Sequence, residues 1–310
     1  MDKLKKIKCG KILENVSLIK YTTYKINYKA RFLVYPGNVK ELVNLITYLR
    51  KENIKYKVIG GGANLIFKED YNGVLIKLDS FDSLEISDTK IKVGAGYNLI
   101  KLAIKVSKLG LTGMEFATGI PGTVGGAIFN NAGAYKSDMG YIVESITVLT
   151  KDLKIKKLYN KELNFHYRTS FLKENDGYIC LDATIILKRG KKEEIMSVIE
   201  DRKQRRFMTQ PLDYPSAGSV FRNPDNNYAG KLIEDIGYKG KKIGGAKVSE
   251  KHANFIINDG NATGEDIVKL IEEIKEKVKE KYDIELKLEQ EIVNWKKLAW
   301  KKLVFLLYYM

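Results

Sequence analysis

Residues 119–135 have the sequence GIPGTVGGAIFNNAGAY, and this glycine-rich segment carries no charged side chain. Glycine is needed where the backbone takes positive φ or approaches another group closely. Because the glycines are interleaved with Ile, Val and Phe, the segment predicts buried backbone that lies against a ligand as part of a packed wall. A set of tight turns between two core strands is the alternative.

A second glycine segment, GGGANL at residues 60–65, follows an alternating strand pattern at residues 54–59. Before that strand, helical spacing of apolar residues predicts a helix with Asn38 as N-cap and Glu41 completing a capping box. Successive glycine N–H groups at a strand end can point at one anion, so the segment is suited to binding a pyrophosphate. No Gly-Lys-Ser/Thr follows, which excludes a P-loop, and a plain tight turn is the alternative.

A third pair of glycines, Gly94 and Gly96, lies between a predicted strand and a predicted helix. A dinucleotide-binding fingerprint would need another glycine where this chain has Leu99. We therefore reject a Rossmann domain and expect these glycines to turn the chain from strand into helix. Gly110 is expected to end that helix.

Hairpins and helices are intermixed along the chain, which predicts an α+β fold. The predicted strands are residues 73–78, 84–86, 90–93, 142–149, 153–159, 177–188 and 284–292. A basic helix is predicted at residues 191–208 with Ile195, Val198 and Ile199 on one face. A second helix begins at Thr263, and its inward residues are Ile267, Leu270, Ile271, Ile274 and Val278.

Composition favours a soluble globular protein. The chain has 310 residues and a net charge of +16, which also suits a nucleic-acid-binding protein, but the lysines are spread along the chain rather than clustered. A solvated basic surface that attracts an anionic substrate is the simpler interpretation. Cys9 and Cys180 lie far apart and offer neither a disulfide framework nor metal-ligand spacing, so we expect a reducing cytoplasm.

The two ends of the chain carry no recognisable targeting or membrane segment. Residues 1–8 lack an apolar run long enough for a signal peptide. Residues 303–310 are continuously apolar, but they fall far short of the roughly 20 residues that a membrane span requires. We expect no transmembrane span.

The residues alone permit only a broad prediction of function. His166 and His252 are the two histidines and no Gly-x-Ser-x-Gly elbow is present, so a Ser-His-Asp hydrolase is poorly supported. No metal-ligand cluster is visible, and we predict no metal. The polar loop at residues 216–224 and the carboxylates of residues 284–292 are candidates, although a structural turn and a solvated face explain them equally well. A nucleotide- or flavin-binding α+β enzyme is predicted, with a nucleic-acid-binding protein as the alternative class.

Taken together, six segments resemble the UDP-N-acetylenolpyruvoylglucosamine reductase family, and they occur in the family's order between about residues 21 and 292. They are GGGANL at residues 60–65, GIPG through NAGAY at residues 119–135, YRTS at 167–170, PSAGSVF at 215–221, VSEKHANF at 248–255 and LEQEI at 288–292. Their joint occurrence makes the resemblance specific. The short segment at residues 179–194 is similar to the subtype that lacks an inserted tyrosine-bearing loop.

The resemblance implies vanillyl-alcohol-oxidase/PCMH-type FAD-binding domains and an α+β C-terminal domain that closes over the substrate. It places FAD-binding subdomains at residues 1–78 and 79–190, a substrate domain at 191–295 and a tail of unknown role at 296–310. It also implies that NADPH reduces FAD, which then reduces UDP-N-acetylglucosamine enolpyruvate to UDP-N-acetylmuramate for peptidoglycan synthesis. A cytoplasmic monomer that binds no nucleic acid is expected. Another flavoprotein of this fold, acting on a different small molecule, remains the alternative.

Site residues follow from the same resemblance, motif by motif. Arg168 matches the group that stabilises the substrate carboxylate, Ser219 the proton donor, and Glu291 the carboxylate that assists it. Tyr167 and Asn223 are the expected substrate contacts. The expected FAD contacts are Gly60, Gly61, Gly62, Ala63, Asn64, Leu65, Gly119, Ile120, Pro121, Gly122, Gly125, Gly126, Asn131, Ala132 and Gly133.

Two positions depart from the family pattern. Asn27 and Tyr28 stand where a glycine pair is common, which leaves the earliest FAD contacts open. Thr209 stands where a lysine is common before Gln210, and we expect Arg205 or Arg206 to take over a contact to a substrate phosphate. Residues 295–310 have no counterpart in the resemblance.

Overall fold

The computed structural model describes residues 4–293, so the predicted tail at 296–310 lies outside the described residues. The chain forms two compact units. The first contains residues 4–14, 32–63 and 73–213, and the second contains residues 15–31, 64–72 and 214–293. The chain therefore passes between the units several times, and once within the predicted GGGANL segment, between Ala63 and Asn64.

Seven α-helices occur in the described part of the chain. They are α1 Val39–Lys51, α2 Leu99–Lys108, α3 Val124–Phe129, α4 Phe171–Glu174, α5 Lys192–Thr209, α6 Ala229–Asp235 and α7 Gly264–Tyr282. Short 3-10 helices occupy Leu4–Lys6, Leu18–Lys20, Glu115–Gly119, Met139–Tyr141 and Asn160–Glu162.

Eighteen short strands are present in residues 4–293. They are β1 Lys11–Ser17, β2 Lys29–Tyr35, β3 Tyr56–Val58, β4 Leu65–Phe67, β5 Tyr71–Ile76, β6 Leu84–Ser87, β7 Lys90–Gly94, β8 Leu111–Thr112, β9 Gly133–Ala134, β10 Ser137–Asp138, β11 Val143–Leu149, β12 Ile155–Tyr159, β13 Ile179–Ile186, β14 Lys188–Arg189, β15 Lys242–Ile243, β16 Ala246–Val248, β17 Ile256–Asn258 and β18 Glu291–Val293. The larger sheets have the orders β12-β11-β13-β7-β6, β1-β2-β5-β3 and β15-β16-β17.

The first unit is built around the five-stranded sheet, in which every neighbouring pair is antiparallel. Helix α2 packs on this sheet through Leu99, Leu102 and Val106, all fully buried. Helix α3, which lies inside the glycine-rich segment, buries Val124 and Ile128 in the same core. The antiparallel order excludes a parallel Rossmann sheet and agrees with the predicted α+β class.

The core of the second unit lies under α7. Its inward face buries the five residues that the sequence predicted, Ile267, Leu270, Ile271, Ile274 and Val278. Thr263 caps this helix, and the Asp266 carboxylate accepts from the Thr263 N–H at 2.9 Å, which completes a capping box. Strand β18 pairs in parallel with β4, bringing Glu291 opposite Leu65.

Several predicted elements are confirmed and others are wrong. The strands predicted at residues 84–86 and 90–93 form the hairpin β6–β7, those predicted at residues 142–149 and 153–159 correspond to β11 and β12, and Gly110 takes φ +75 at the end of α2. The strand predicted at residues 284–292 is limited to β18, and Val198 on α5 is 41% exposed rather than inward. Asn38 caps α1, but the Glu41 carboxylate accepts from the Gly37 N–H, so the predicted capping box does not close.

Helix α5 belongs to the first compact unit, which extends to Asp213. The domain boundaries expected from the resemblance stay a prediction. Within residues 4–293, no helix combines the length and the apolar character needed to cross a bilayer.

Candidate active site

The two predicted cofactor segments meet in the first unit. A Cβ on Gly61 would lie 2.8 Å from the Gly122 Cα, and a Cβ on Gly60 would lie 2.6 Å from Thr123 Oγ1. Gly122 takes φ +140, and no heavy atom lies within 4 Å of the place its Cβ would occupy. The backbones of the two segments therefore approach each other closely at Gly61 and Gly122, and the space next to Gly122 is open.

Gly122 places no side chain toward this open space, so its backbone is suited to close approach by a planar ligand such as a flavin. Thr123 caps α3 and accepts from the Gly126 N–H at 3.3 Å, while the Gly125 N–H donates to Ala95 O at 2.8 Å. A Cβ on Gly125 would lie 2.9 Å from the Ala95 Cβ. Glycine is thus required at Gly125 because a Cβ would clash with Ala95, and at Gly122 because of its positive φ beside open space.

Lys77 is a buried cation at the first glycine segment that the sequence analysis did not single out. Its Nζ donates to Gly60 O at 3.0 Å and lies 3.2 Å from the Asp79 carboxylate. The residue is only 9% exposed. Lys77 therefore fixes the carbonyl at which the GGGANL segment begins.

The last part of that segment has a structural role in the second unit. Asn64 Nδ2 donates to Glu289 O at 3.0 Å, and Asn64 O accepts from the Glu291 N–H at 2.9 Å. Leu65 begins β4, the strand that pairs with β18. Asn64 and Leu65 thus hold the backbone of Glu291, and their predicted contact with FAD stays a prediction.

The second half of the glycine-rich segment is fixed by one buried amide. Asn131 is 1% exposed and takes φ +43; its Oδ1 accepts from the Gly140 N–H at 2.9 Å and its Nδ2 donates to His166 O at 3.0 Å. Gly133 begins β9, and a Cβ there would lie 2.5 Å from the Asp138 Cβ. The segment therefore contains a helix and a hairpin as well as close backbone contacts.

Arg168 lies in a tight turn that packs on this segment. His166 and Thr169 exchange backbone hydrogen bonds at 3.2 and 3.0 Å, and Arg168 takes φ +57, a left-handed conformation that costs a non-glycine residue roughly 1–2 kcal/mol. Arg168 Nη2 donates to Gly133 O at 2.6 Å, and its guanidinium carbon lies 5.0 Å from the centre of the Tyr167 ring. A strained backbone held this firmly is typical of functional positions.

Neighbouring side chains anchor the same turn. Ser170 is fully buried and its Oγ donates to Phe129 O at 2.8 Å. Lys173 Nζ donates to Asn130 Oδ1 at 2.8 Å and to Arg168 O at 3.2 Å. The glycine-rich segment therefore holds the Arg168 backbone, and Tyr167 beside it is 47% exposed.

Ser219 lies in the second unit on a loop held by Asn254. Ser219 forms an isolated antiparallel bridge with Phe255, and the following Val220 N–H donates to Asn254 O at 2.9 Å. The Asn254 side chain accepts from the Phe221 N–H at 2.9 Å and donates to Phe221 O at 2.8 Å. Ser219 itself is half-buried, so its position is fixed while its side chain stays partly accessible.

Glu291 is the half-buried first residue of β18. Burial and, after it, the negative charge of Glu291 raise the pKa of Tyr71, a 6% exposed residue of the same unit. Asn223, the other expected substrate contact, is exposed, and its Oδ1 accepts from the Ala229 N–H at 3.1 Å at the start of α6. Ser219, Asn223 and Glu291 all belong to the second unit, whereas Arg168 belongs to the first.

A pocket of about 490 Å³ opens at the C-terminal end of α5 in the first unit. It is lined by Ala134, Tyr135, Arg205, Arg206, Thr209 and Gln210. Arg205 pairs with Asp201 at 3.0 Å. The Arg206 guanidinium lies against Gly119, where a Cβ would be 2.5 Å from Nη1, and burial lowers the pKa of Arg206. From the sequence, Arg206 was one of two candidates for a phosphate contact. Its contact with Gly119 could not be predicted, because the two residues lie far apart in the sequence.

Two family models match the chain. An FAD binding domain covers residues 30–159, and the C-terminal domain of UDP-N-acetylenolpyruvoylglucosamine reductase covers residues 210–293. Among residues 4–293, no group of three or more His, Cys, Asp or Glu side chains is arranged to hold a metal ion.

Several proteins named UDP-N-acetylenolpyruvoylglucosamine reductase are similar over nearly the whole chain. The protein of Caldanaerobacter subterraneus subsp. tengcongensis is 50% identical, with 96% of this chain and 98% of the relative covered. The Bacillus subtilis protein is 43% identical, with 95% and 98% covered. The crystal structure of the Thermus caldophilus reductase is 33% identical and superposes with a TM-score of 0.77 over 92% of this chain and 98% of that chain.

Proposed function

Because this chain belongs to the UDP-N-acetylenolpyruvoylglucosamine reductase family, we propose that Arg168, Ser219 and Glu291 are the residues that stabilise and protonate the substrate. The protein is an FAD-dependent oxidoreductase that reduces UDP-N-acetylglucosamine enolpyruvate with NADPH in peptidoglycan precursor synthesis. When bound, FAD would supply the hydride chemistry that couples oxidation of NADPH to reduction of the enolpyruvyl double bond, and the backbone around Gly60, Gly61 and Gly122 would hold it. The remaining requirements fall on the side chains of this protein.

Arg168 meets the first requirement, which is a fixed positive charge. Hydride addition to the terminal alkene carbon leaves negative charge that is delocalised into the neighbouring carboxylate, so a cation must stabilise it. A guanidinium is always charged and can bind a carboxylate through two N–H groups. The hydrogen bond from Arg168 to Gly133 O and the strained turn support this role, because they hold the arginine before substrate arrives.

Ser219 and Glu291 meet the second requirement, which is delivery of a proton to the other alkene carbon. A serine hydroxyl is a weak acid and needs neighbouring groups to transfer a proton at a useful rate. Both residues are half-buried; the Glu291 N–H donates to Asn64 O at 2.9 Å, and the N–H of Val220, next to Ser219, donates to Asn254 O at 2.9 Å, which supports the assignment. Their match to the PSAGSVF and LEQEI motifs carries the assignment.

The backbone that Gly60, Gly61 and Gly122 bring together is proposed to hold the flavin, along with the rest of the two glycine segments. Arg206 is proposed to contact a phosphate of the substrate in place of the lysine that is common at Thr209. The charge of Arg205 is already used by Asp201, which favours Arg206 of the two. Tyr167 and Asn223 stay proposed substrate contacts.

We also propose that the protein acts as a cytoplasmic monomer. Cys9 and Cys180 are both free and buried, which suits a reducing compartment. Light scattering of the holoprotein at micromolar concentration should give the mass of one chain; a dimer mass would overturn the proposed state.

The Ser219→Ala variant tests the mechanism by separating the two halves of the reaction. We expect NADPH to reduce the bound flavin at the wild-type rate, whereas reoxidation by UDP-N-acetylglucosamine enolpyruvate should slow by roughly 10²–10⁴-fold, the usual contribution of a general acid. Stopped-flow absorbance of the flavin measures both rates anaerobically. Ser216→Ala, a serine of the same loop with no proposed role, is the matched control. Unchanged reoxidation in Ser219→Ala would reject Ser219 as the donor.

A further inference from the structure

A buried carboxamide connects the Ser219 loop with the segment that carries Glu291. Gln290 is 3% exposed, and its Nε2 donates to Ala217 O at 3.1 Å and to Gly218 O at 2.9 Å. Its Oε1 accepts from the Tyr24 hydroxyl at 2.9 Å. All these residues belong to the second unit.

The orientation of this carboxamide is determined by its partners. Both N–H groups face carbonyl oxygens, so exchanging the oxygen and nitrogen of the amide would bring three oxygens together without a proton between them. Tyr24 is 1% exposed, and burial raises its pKa, so its hydroxyl stays protonated and donates. Asn258 Nδ2 donates to Tyr24 O at 3.0 Å and holds the tyrosine in turn.

Gln290 binds the carbonyls of Ala217 and Gly218, which are the two residues immediately before Ser219 in the chain. Gly218 takes φ +75, a conformation open to glycine, and its carbonyl direction sets the plane of the peptide that leads into Ser219. On the far side of Ser219, Asn254 holds Val220 and Phe221. Ser219 is therefore fixed between two buried amides, those of Gln290 and Asn254. Of the two, Gln290 is the residue that immediately precedes Glu291 in the sequence.

We propose that Gln290 is a positioning residue for proton transfer, which sets the Ser219 hydroxyl relative to the Glu291 carboxylate by holding the Ala217 and Gly218 carbonyls. This inference rests on the proposed roles of Ser219 and Glu291. Gln290 acts through Ser219, and the hydrogen bonds of its carboxamide go to Tyr24, Ala217 and Gly218. Its loss should therefore affect reoxidation of the flavin and leave reduction by NADPH unchanged.

The first test is Gln290→Met in the holoprotein, since methionine has a similar length but makes no such hydrogen bonds. We expect reoxidation by UDP-N-acetylglucosamine enolpyruvate to slow about 10–100-fold, with a larger solvent deuterium isotope effect, and flavin reduction by NADPH to stay within about twofold of wild type. Gln204→Met, the same change at an exposed position on α5, is the matched control. Equal slowing of both half-reactions would overturn the proposal, because it would indicate general damage to the fold.

The pH profile of Gln290→Glu provides a second test that does not depend on the methionine variant. Only the protonated carboxyl can donate to a backbone carbonyl, so reoxidation in this variant should become faster relative to wild type as pH falls. The proposal would be contradicted if the reoxidation rate of Gln290→Glu, divided by that of wild type, stayed low and constant between pH 5 and pH 8.

A double variant separates this inference from the proposed function. If Gln290 acts through Ser219, adding Gln290→Met to Ser219→Ala should slow reoxidation no further. An additive loss would overturn the positioning role. If Ser219→Ala alone leaves reoxidation unchanged, the proposed donor fails; if Ser219→Ala slows it and Gln290→Met does not, only the inference about Gln290 fails.

Discussion

The glycine-rich segment of the first unit and the Ser219 loop of the second unit are made rigid in different ways. In the first, Gly60, Gly61 and Gly125 allow close packing, because an added Cβ would lie within 3.0 Å of Thr123 Oγ1, the Gly122 Cα or the Ala95 Cβ, respectively. In the second, the buried amides of Gln290 and Asn254 hold the backbone through hydrogen bonds. The first region presents a surface, and the second presents one hydroxyl. The difference indicates that a backbone without side chains suits contact over a wide surface, whereas the position of one hydroxyl group has to be set by directional hydrogen bonds.

The largest effect is expected at Arg168, because the glycine-rich segment holds this side chain through a hydrogen bond and the side chain acts as a single functional group. Arg168→Lys keeps the charge but loses the planar pair of N–H groups and the bond to Gly133 O. We expect kcat/KM for the enolpyruvyl substrate to fall roughly 10²–10³-fold, the range seen when a donor to a developing anion is removed. Steady-state kinetics measures it, and flavin reduction by NADPH should be preserved.

Arg189→Lys is the control for that change, since Arg189 is an exposed arginine that pairs with Asp88. Its kcat/KM should match wild type. A loss in Arg168→Lys no larger than in Arg189→Lys would contradict the assigned role.

A smaller effect, on stability, is expected from Gly133→Ala. The added Cβ would press on the Asp138 Cβ across the β9–β10 hairpin, and crowding of this kind costs about 1–3 kcal/mol. Urea unfolding of the holoprotein measures this loss. Gly126→Ala in α3 is the matched control in the same segment, because its nearest neighbour would be Thr123 Oγ1 at 3.4 Å.

That control should be neutral or slightly stabilising, since alanine favours a helix over glycine by up to about 1 kcal/mol. If both variants lose the same stability, the segment is sensitive to any substitution, and the distinction between crowded and open glycines is wrong.

The smallest effect is expected from Lys77→Met, which leaves every glycine in place and removes the cation that fixes Gly60 O. The affinity of the apoprotein for FAD should fall about tenfold, or 1.4 kcal/mol, as measured by fluorescence titration of the flavin. Lys90→Met, at an exposed lysine paired with Glu144, should leave FAD affinity unchanged. An unchanged affinity in Lys77→Met would show that the glycine backbone needs no buried side chain, which would sharpen the contrast with the Ser219 loop.

Much of the fold could be predicted because its signals are local. The inward face of α7, the hairpin β6–β7 and the end of α2 at Gly110 each depend on residues within a few positions of one another. The prediction was wrong at residues 284–292, where an alternating pattern suggested a long strand. Only Glu291–Val293 finds a partner strand, β4, which lies more than 200 residues earlier.

The sequence by itself determined the α+β class and, through the order of its motifs, the family and its reaction. Only the tertiary structure decided what holds the site: Asn131 between Gly140 and His166, Arg206 against Gly119, and Gln290 between Tyr24 and the carbonyls before Ser219. These contacts join residues that lie far apart in the chain, and a buried amide or guanidinium has no sequence period that reveals its partner. For the segment at residues 119–135, the need for close backbone approach was written in its glycines, but its bonds to the Arg168 turn required the folded chain.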